Sequence, residues 1–177
     1  MSEQTFDARG RDRLFDCYSN ILVPVDFSEH SKKTIEYATQ LAALTGATIK
    51  ILHVLQMPEF PAAFYQGLHM AHDPVKTNVE AAKLAASSLL SQLSEQIFAK
   101  GLEAEAVLRV GNPREEILSA AKEMSVDLIV IGSHGHSGLG LVLLGSTAER
   151  VVQYAPCPVL VVKDRTGQGR DTTRIST

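Results

Sequence analysis

Short apolar runs alternate with longer amphipathic stretches along most of this chain, with the period of strand, turn and helix. Ile21-Leu22-Val23-Pro24-Val25 is rich in branched residues and stops at Asp26, which suits a strand buried on both faces. Pro24 cannot donate to a ladder, so it belongs near the end of that strand, where the chain leaves the sheet. Ser28 then stands where an N-cap is wanted, and Ile35, Ala38, Leu41, Ala42 and Leu44 recur at helical spacing until Gly46. Residues 48–54 predict a second strand. The stretch beyond it, interrupted by Pro58, Pro61 and Pro74, reads as a long loop whose composition does not reveal its role. Strong helix formers fill 75–100, with Ala82, Ala85, Leu89, Leu93, Ile97 and Phe98 as the apolar stripe and Gly101 as the stop. A third strand is expected over Ala104–Val110. Gly111-Asn112-Pro113 then turns the chain into a helix with Glu115 and Glu116 beside its positive end and Ile117, Leu118 and Ala121 inward. Residues 127–131 form a fourth strand running into Gly132, a helix covers 146–154, and Val159–Val162 is a fifth strand.

Five strands alternating with four helices imply right-handed crossovers and an α/β fold: an open, five-stranded parallel sheet of order 3-2-1-4-5 with helices on both faces. Ligands of such sheets sit beyond the carboxyl ends of the strands, where the strand order reverses. Asp26 and Gly132 each lie at such an end, so they converge on one crevice if strands 1 and 4 are neighbours. The expected organisation is a polar extension over 1–19, one α/β domain over 20–163, and a flexible polar tail over 164–177.

Composition narrows the partners. At 177 residues and 45% hydrophobic content the chain suits one well-packed domain. A formal charge of −3 gives no reason to expect nucleic acid as partner. No apolar stretch approaches the roughly 18 residues that span a bilayer, and the first twenty residues lack the apolar core of a signal peptide, so no membrane partner and a cytoplasmic location are expected. Cys17 and Cys157 form no spaced disulfide or zinc pattern and are expected to be free thiols.

Gly132-Ser133-His134-Gly135, nine residues, then Gly145-Ser146, lie between the fourth strand and the last helix. Glycines at fixed points let a backbone fold closely around a ligand, and the helix start beyond them offers free N–H groups to an anion such as a nucleotide phosphate. Ser146 and Glu149 also have capping-box spacing, which accounts for those two residues without any ligand but leaves the glycines unexplained. Gly140 to Thr147 resembles a P-loop except that Ser146 stands in place of the lysine, so efficient phosphoryl transfer of that kind is not expected. The dinucleotide fingerprint fails too, because Gly138 and Gly140 are followed by Leu143 and the segment comes after the fourth strand instead of the first.

These residues resemble the ATP-binding members of the universal stress protein family, whose G-x-x-G, nine residues, G-[ST] pattern is met at Gly132, Gly135, Gly145 and Ser146. The likeness extends over about 20–163 through I-L-V-P-V-D-F-S, I-L-H-V, V-G-N-P-R-E-E-I and C-P-V-L-V-V-K. It implies a Rossmann-like domain that binds ATP, or ADP or AMP, with magnesium or manganese held through the phosphates. By similarity Asp26 would hold the ribose or adenine edge, Pro24 and Val25 would line the base pocket, and Val54 would pack on adenine. Ile131 and Gly132 would contact the base and ribose side, His134 and Gly135 would lie along the phosphates, and Gly145, Ser146 and Thr147 would donate to the β and γ phosphates. The family also forms homodimers by pairing the last strand, here Val159–Val162, and an unpaired apolar edge gives that pairing a physical motive. Asp26 has a second possible duty, capping the next helix, and Val54 could be plain core. His69-x-x-His72 and His134-x-His136 are weak metal candidates, and His53 reads as a satisfied core residue.

The function expected is that of a nucleotide-dependent regulatory or stress-response switch. No general base, arginine finger or P-loop lysine stands out, so no catalytic residue is assigned and any hydrolysis should be slow. Two rivals are a nucleotide hydrolase or adenylate-transfer enzyme on the same sheet, with Asp26 or His134 serving catalysis, and a dimeric interaction module that binds no nucleotide.

Overall fold

A computed structural model of the chain describes residues 18–56, 74–133 and 144–163. Within them the strands are β1 (Asn20–Val25), β2 (Thr48–Leu55), β3 (Ala104–Val110), β4 (Leu128–Gly132) and β5 (Val159–Val162), and the helices are α1 (Glu29–Thr45), α2 (Pro74–Phe98), α3 (Pro113–Glu123) and α4 (Ser146–Tyr154). All pairings are parallel, and the sheet order is β3-β2-β1-β4-β5. This is the architecture expected from the alternation of apolar runs and amphipathic stretches.

Side-chain alternation along β1 divides the core into two layers. Ile21, Val23 and Val25 face Ala38 and Ala42 of α1 and Leu90 and Ile97 of α2. Leu22 faces the other way, with Leu52 and Ile129, onto Ile117, Ala120 and Ala121 of α3 and Ala148 and Val151 of α4. Burial on both faces explains why β1 and β4 read as continuous apolar runs. Each fully buried Leu, Ile or Val contributes about 1.5–3 kcal/mol relative to exposure, so the two layers supply the main stabilisation.

Local chemistry sets the boundaries. Ser28 caps α1, its side chain accepting from the Ser31 amide, and Gly46 ends the helix in a left-handed conformation at φ 76°, its N–H donating to the Ala42 carbonyl. The carboxylate of Asp127 receives the amides of Ser19 at 2.8 Å and Asn20 at 3.2 Å, which ties the start of β1 to the start of β4. The extension and tail expected over 1–19 and 164–177, and the loop after Gln56, fall almost wholly outside the described residues.

β1 lies between β2 and β4, so the chain winds outward to one side through β2 and β3 and then crosses to the other. The β1–β4 pairs are Ile21↔Leu128 and Leu22↔Ile129, two residues short of Pro24, which has no N–H to extend them. The β1–β2 ladder continues to Val25↔His53. A crevice therefore opens at the carboxyl ends of β1 and β4, the switch point of the sheet.

One surface network stiffens the β3–α3 unit. The Arg109 guanidinium is bidentate on Glu123 and lies 3.6 Å from Glu116, and the Ser119 hydroxyl donates to Glu123 at 2.7 Å. The Arg109 hydrogen bond, with help from Ser119, lowers the Glu123 carboxyl from the ordinary 4.5 to about 2. A depressed folded-state pKa stabilises the fold above about pH 4.5, and that contribution fades as the pH falls toward about 2. The group is exposed, so the effect is small. Comparing the melting temperatures of the wild type and Glu123→Gln from pH 7 downward should show a small wild-type advantage that disappears between pH 4.5 and 2. An advantage independent of pH would refute this assignment.

Candidate functional site

The turn from β1 into α1 is organised by Asp26. Its Oδ1 accepts from the Ser28 amide at 3.1 Å, the Ser28 hydroxyl at 2.5 Å and the Ser31 hydroxyl at 2.5 Å, and Ser31 Oγ accepts in return from the Asp26 amide at 3.0 Å. Within this turn Phe27 adopts φ 60°, a left-handed conformation uncommon for a bulky side chain. Its ring lies against His53, with centroids 4.4 Å apart. His53 Nδ1 is 2.8 Å from the Val25 carbonyl, which can only accept, so Nδ1 carries the proton. His53 is therefore satisfied as expected, yet it is a half-buried wall of the crevice and not part of the core.

On the other side of the crevice, β4 ends at Gly132 and Ser133 follows, 3% exposed. The Ser133 amide donates to the Val162 carbonyl at 2.9 Å, and the Gly145 amide donates to the Ser133 carbonyl at 2.8 Å. These two bonds join both ends of the glycine-containing segment to the edge of the sheet. Gly145 is the N-cap of α4, extended at φ −60° and ψ 146°, and no side chain caps the helix. The capping box expected of Ser146 and Glu149 does not form. The helix starts one residue earlier than that pattern needs, which makes Ser146 the first helical residue instead of the cap. Its Oγ accepts from Arg114 Nη2 at 2.8 Å.

Arg114 arrives from the start of α3, where Asn112 is the N-cap and its Oδ1 accepts from the Arg114 amide at 3.0 Å. The Gly111 amide donates to the Leu55 carbonyl at 3.0 Å, fastening this turn to the end of β2. Gly111 has φ 153°, a backbone conformation that side chains rarely adopt, so the turn favours glycine.

These elements enclose a cleft of about 480 Å³, inside the roughly 300–1,000 Å³ usual for small-molecule sites. Pro24, Val25, Asp26, Val54, Ile131, Gly132, Gly145, Ser146 and Thr147, all singled out from the sequence, line it. His134 and Gly135, the remaining two, lie outside the described residues, as do His69, His72, His136 and Cys17. The cleft has an apolar wall in Val54 and Ile131 and a polar end at the first turns of α3 and α4, represented by Pro113 and by Ser146 and Thr147. Each helix start carries about half a positive charge, and among the described residues no side chain caps α4, so this end favours an anion.

Ser31, Thr34, His53, Gln56 and Pro113 also line the cleft and were not singled out from the sequence, and Arg114 touches it through Ser146. Ser31 and Thr34 follow the predicted N-cap at helical spacing, and that signal could have placed them on the inner face of α1. Among the described residues no group of three or more His, Cys, Asp or Glu is disposed to hold a metal. Cys157 is a free thiol whose pKa is pushed up by burial and by the nearby Asp127 charge. No described helix is long and apolar enough to cross a membrane.

The family model described as universal stress protein family matches residues 18–163. Universal stress protein YxiE of Bacillus subtilis is 35% identical over 151 residues, covering 82% of this chain and 99% of its own. Universal stress protein UspA from Lactobacillus plantarum superposes with a TM-score of 0.71 at 26% identity, over 82% of this chain and 97% of its own. A universal stress protein from Archaeoglobus fulgidus, solved in complex with dAMP, gives a TM-score of 0.56 at 26% identity, over 83% of this chain and 99% of its own.

Proposed function

The chain belongs to the universal stress protein family, and from that premise we propose that it binds an adenine nucleotide, ATP with magnesium or manganese above all, as a regulatory switch with at most slow hydrolysis. The observation that carries this is the convergence of Asp26, Gly132 and the uncapped start of α4 on one cleft with an apolar wall. An adenine base suits the apolar wall that includes Val54 and Ile131, and a phosphate chain suits the amides of Gly145, Ser146 and Thr147. Asp26 would hold the ribose or adenine edge beside Pro24 and Val25, with His134 and Gly135 along the phosphates. The dAMP complex of the Archaeoglobus protein supports the adenine class. A divalent cation would ride on the phosphates, where it neutralises their charge.

Nucleotide occupancy of the cleft would alter the surface offered to a partner. The same reading includes a homodimer through β5, which forms one edge of the sheet and leaves Leu160 38% exposed.

A thermal-shift titration with ATP and magnesium tests the binding. At 100 times the dissociation constant the fold should gain about 2.7 kcal/mol, which for a chain of this size raises the melting temperature by about 5–10 °C. The absence of any shift with ATP, ADP and AMP would overturn the proposal.

A further inference from the structure

We infer that Arg114 is a further phosphate-binding residue, reading the distal phosphates of the nucleotide and setting preference for ATP over AMP; this rests on the adenine-nucleotide reading of the cleft.

Arg114 is the second residue of α3, and its backbone is fixed by the Asn112 cap and, through Gly111, by the end of β2. From there its Nη2 spans to the first residue of α4, at 2.8 Å from Ser146 Oγ. A guanidinium carries five N–H donors and no acceptor, and here one of them is spent on a neutral hydroxyl. Among the described residues no carboxylate pairs with it: Glu116, in the same first turn, lies 3.6 Å from Arg109 instead. The cation therefore stands at the anion-favouring end of the cleft with most of its donors uncommitted to any described charge.

The contact also acts on Ser146. A hydroxyl has one donor and two acceptor positions, and by accepting from Arg114 it keeps its own O–H to donate elsewhere. The adjacent positive charge polarises that O–H and makes it a better donor to an anion. Because α4 has no side-chain cap, Ser146 has no competing duty at the helix start. Arg114 can thus serve distal phosphate oxygens directly, as a planar fork, and indirectly through Ser146. A nucleoside monophosphate, with its single phosphate next to the ribose, would reach this fork least.

The test is isothermal titration of the full chain with ATP and magnesium, ADP, AMP and adenosine, for the wild type, Arg114→Met and Arg114→Lys. Loss of the fork should weaken ATP by about 10–100-fold, the range of a charge-assisted hydrogen bond or two, while changing AMP and adenosine by less than about threefold. Arg114→Lys should recover only part of the loss, since a point charge cannot reproduce the fork. Met keeps the aliphatic stem of the arginine, and an unchanged melting temperature without ligand shows that the α3–α4 packing survives. An equal loss for all four ligands, or no loss for ATP, would overturn the role of Arg114 while leaving the cleft a nucleotide site. A wild type that binds none of the four would overturn both.

Discussion

Gly145→Val is expected to abolish the ATP-induced rise in melting temperature while leaving the ligand-free protein nearly as stable as the wild type. Gly145 is extended at φ −60° and ψ 146°, a conformation that a β-branched residue also prefers, so nothing in its backbone demands glycine. As an N-cap, glycine offers no side-chain acceptor but still ranks well above valine, so the exchange costs the helix about 1 kcal/mol, a fall of about 2–4 °C in the ligand-free melting temperature. The bond from its amide to the Ser133 carbonyl uses only the main chain and persists. The change falls on the space before the first amides of α4, where an isopropyl group stands in the path of approaching phosphate oxygens. A loss of ATP affinity of at least about 100-fold, or 2.7 kcal/mol, is expected, enough to cancel the gain at 100 times the wild-type dissociation constant. Ligand titration followed by calorimetric melting separates the two effects. Undiminished ATP affinity would remove the start of α4 from the phosphate site; a collapsed ligand-free melting temperature would mean that the backbone at Gly145 is more constrained than its angles indicate.

How much of the fold and the cleft is legible in the sequence depends on whether the relevant signal is local. The buried strands are legible because burial on both faces leaves continuous branched apolar runs such as Ile21 to Val25 and Leu128 to Ile131. The meeting of Asp26 with Gly132 follows from strand order, since both end strands that flank the reversal. The helix start at Ser146 is legible but its chemistry is not, because the S-x-x-E spacing is satisfied equally by a box that forms and by one displaced by a single residue. Only the conformation of Gly145 decides between them. Arg114 is invisible as a site residue because its contact with Ser146 joins two helix starts 32 positions apart, a relation that no spacing rule encodes. His53 reads as core because its strand is apolar. It lines the cleft because it stands opposite Val25 near the carboxyl end of the sheet, a position set by the β1–β2 register and not by the composition of its own strand.

Those bonds make Asp26→Ala the second large effect, and one that separates the two duties the sequence leaves open for this carboxylate. Three donors converge on Oδ1, from the Ser28 amide and the Ser28 and Ser31 hydroxyls, and Ser31 is only 8% exposed. Removing a charged acceptor shared by buried and half-buried donors costs about 2–3 kcal/mol, and the melting temperature should fall by about 4–12 °C. The turn would also lose the bonds that hold Phe27 at positive φ, and with them the face that covers His53. Asp26→Asn keeps one carbonyl oxygen to accept from the same donors, so it should retain about half or more of that stability. If the carboxylate also serves nucleotide, Asp26→Asn should nevertheless lose ATP affinity by about 10-fold or more, since a charged hydrogen bond is replaced by a neutral one. Ligand-free melting together with ATP titration of both variants resolves the roles. Stability lost in Asp26→Ala with full ATP affinity in Asp26→Asn would confine Asp26 to the turn; stability kept in Asp26→Ala would mean that the three hydrogen bonds do not hold it.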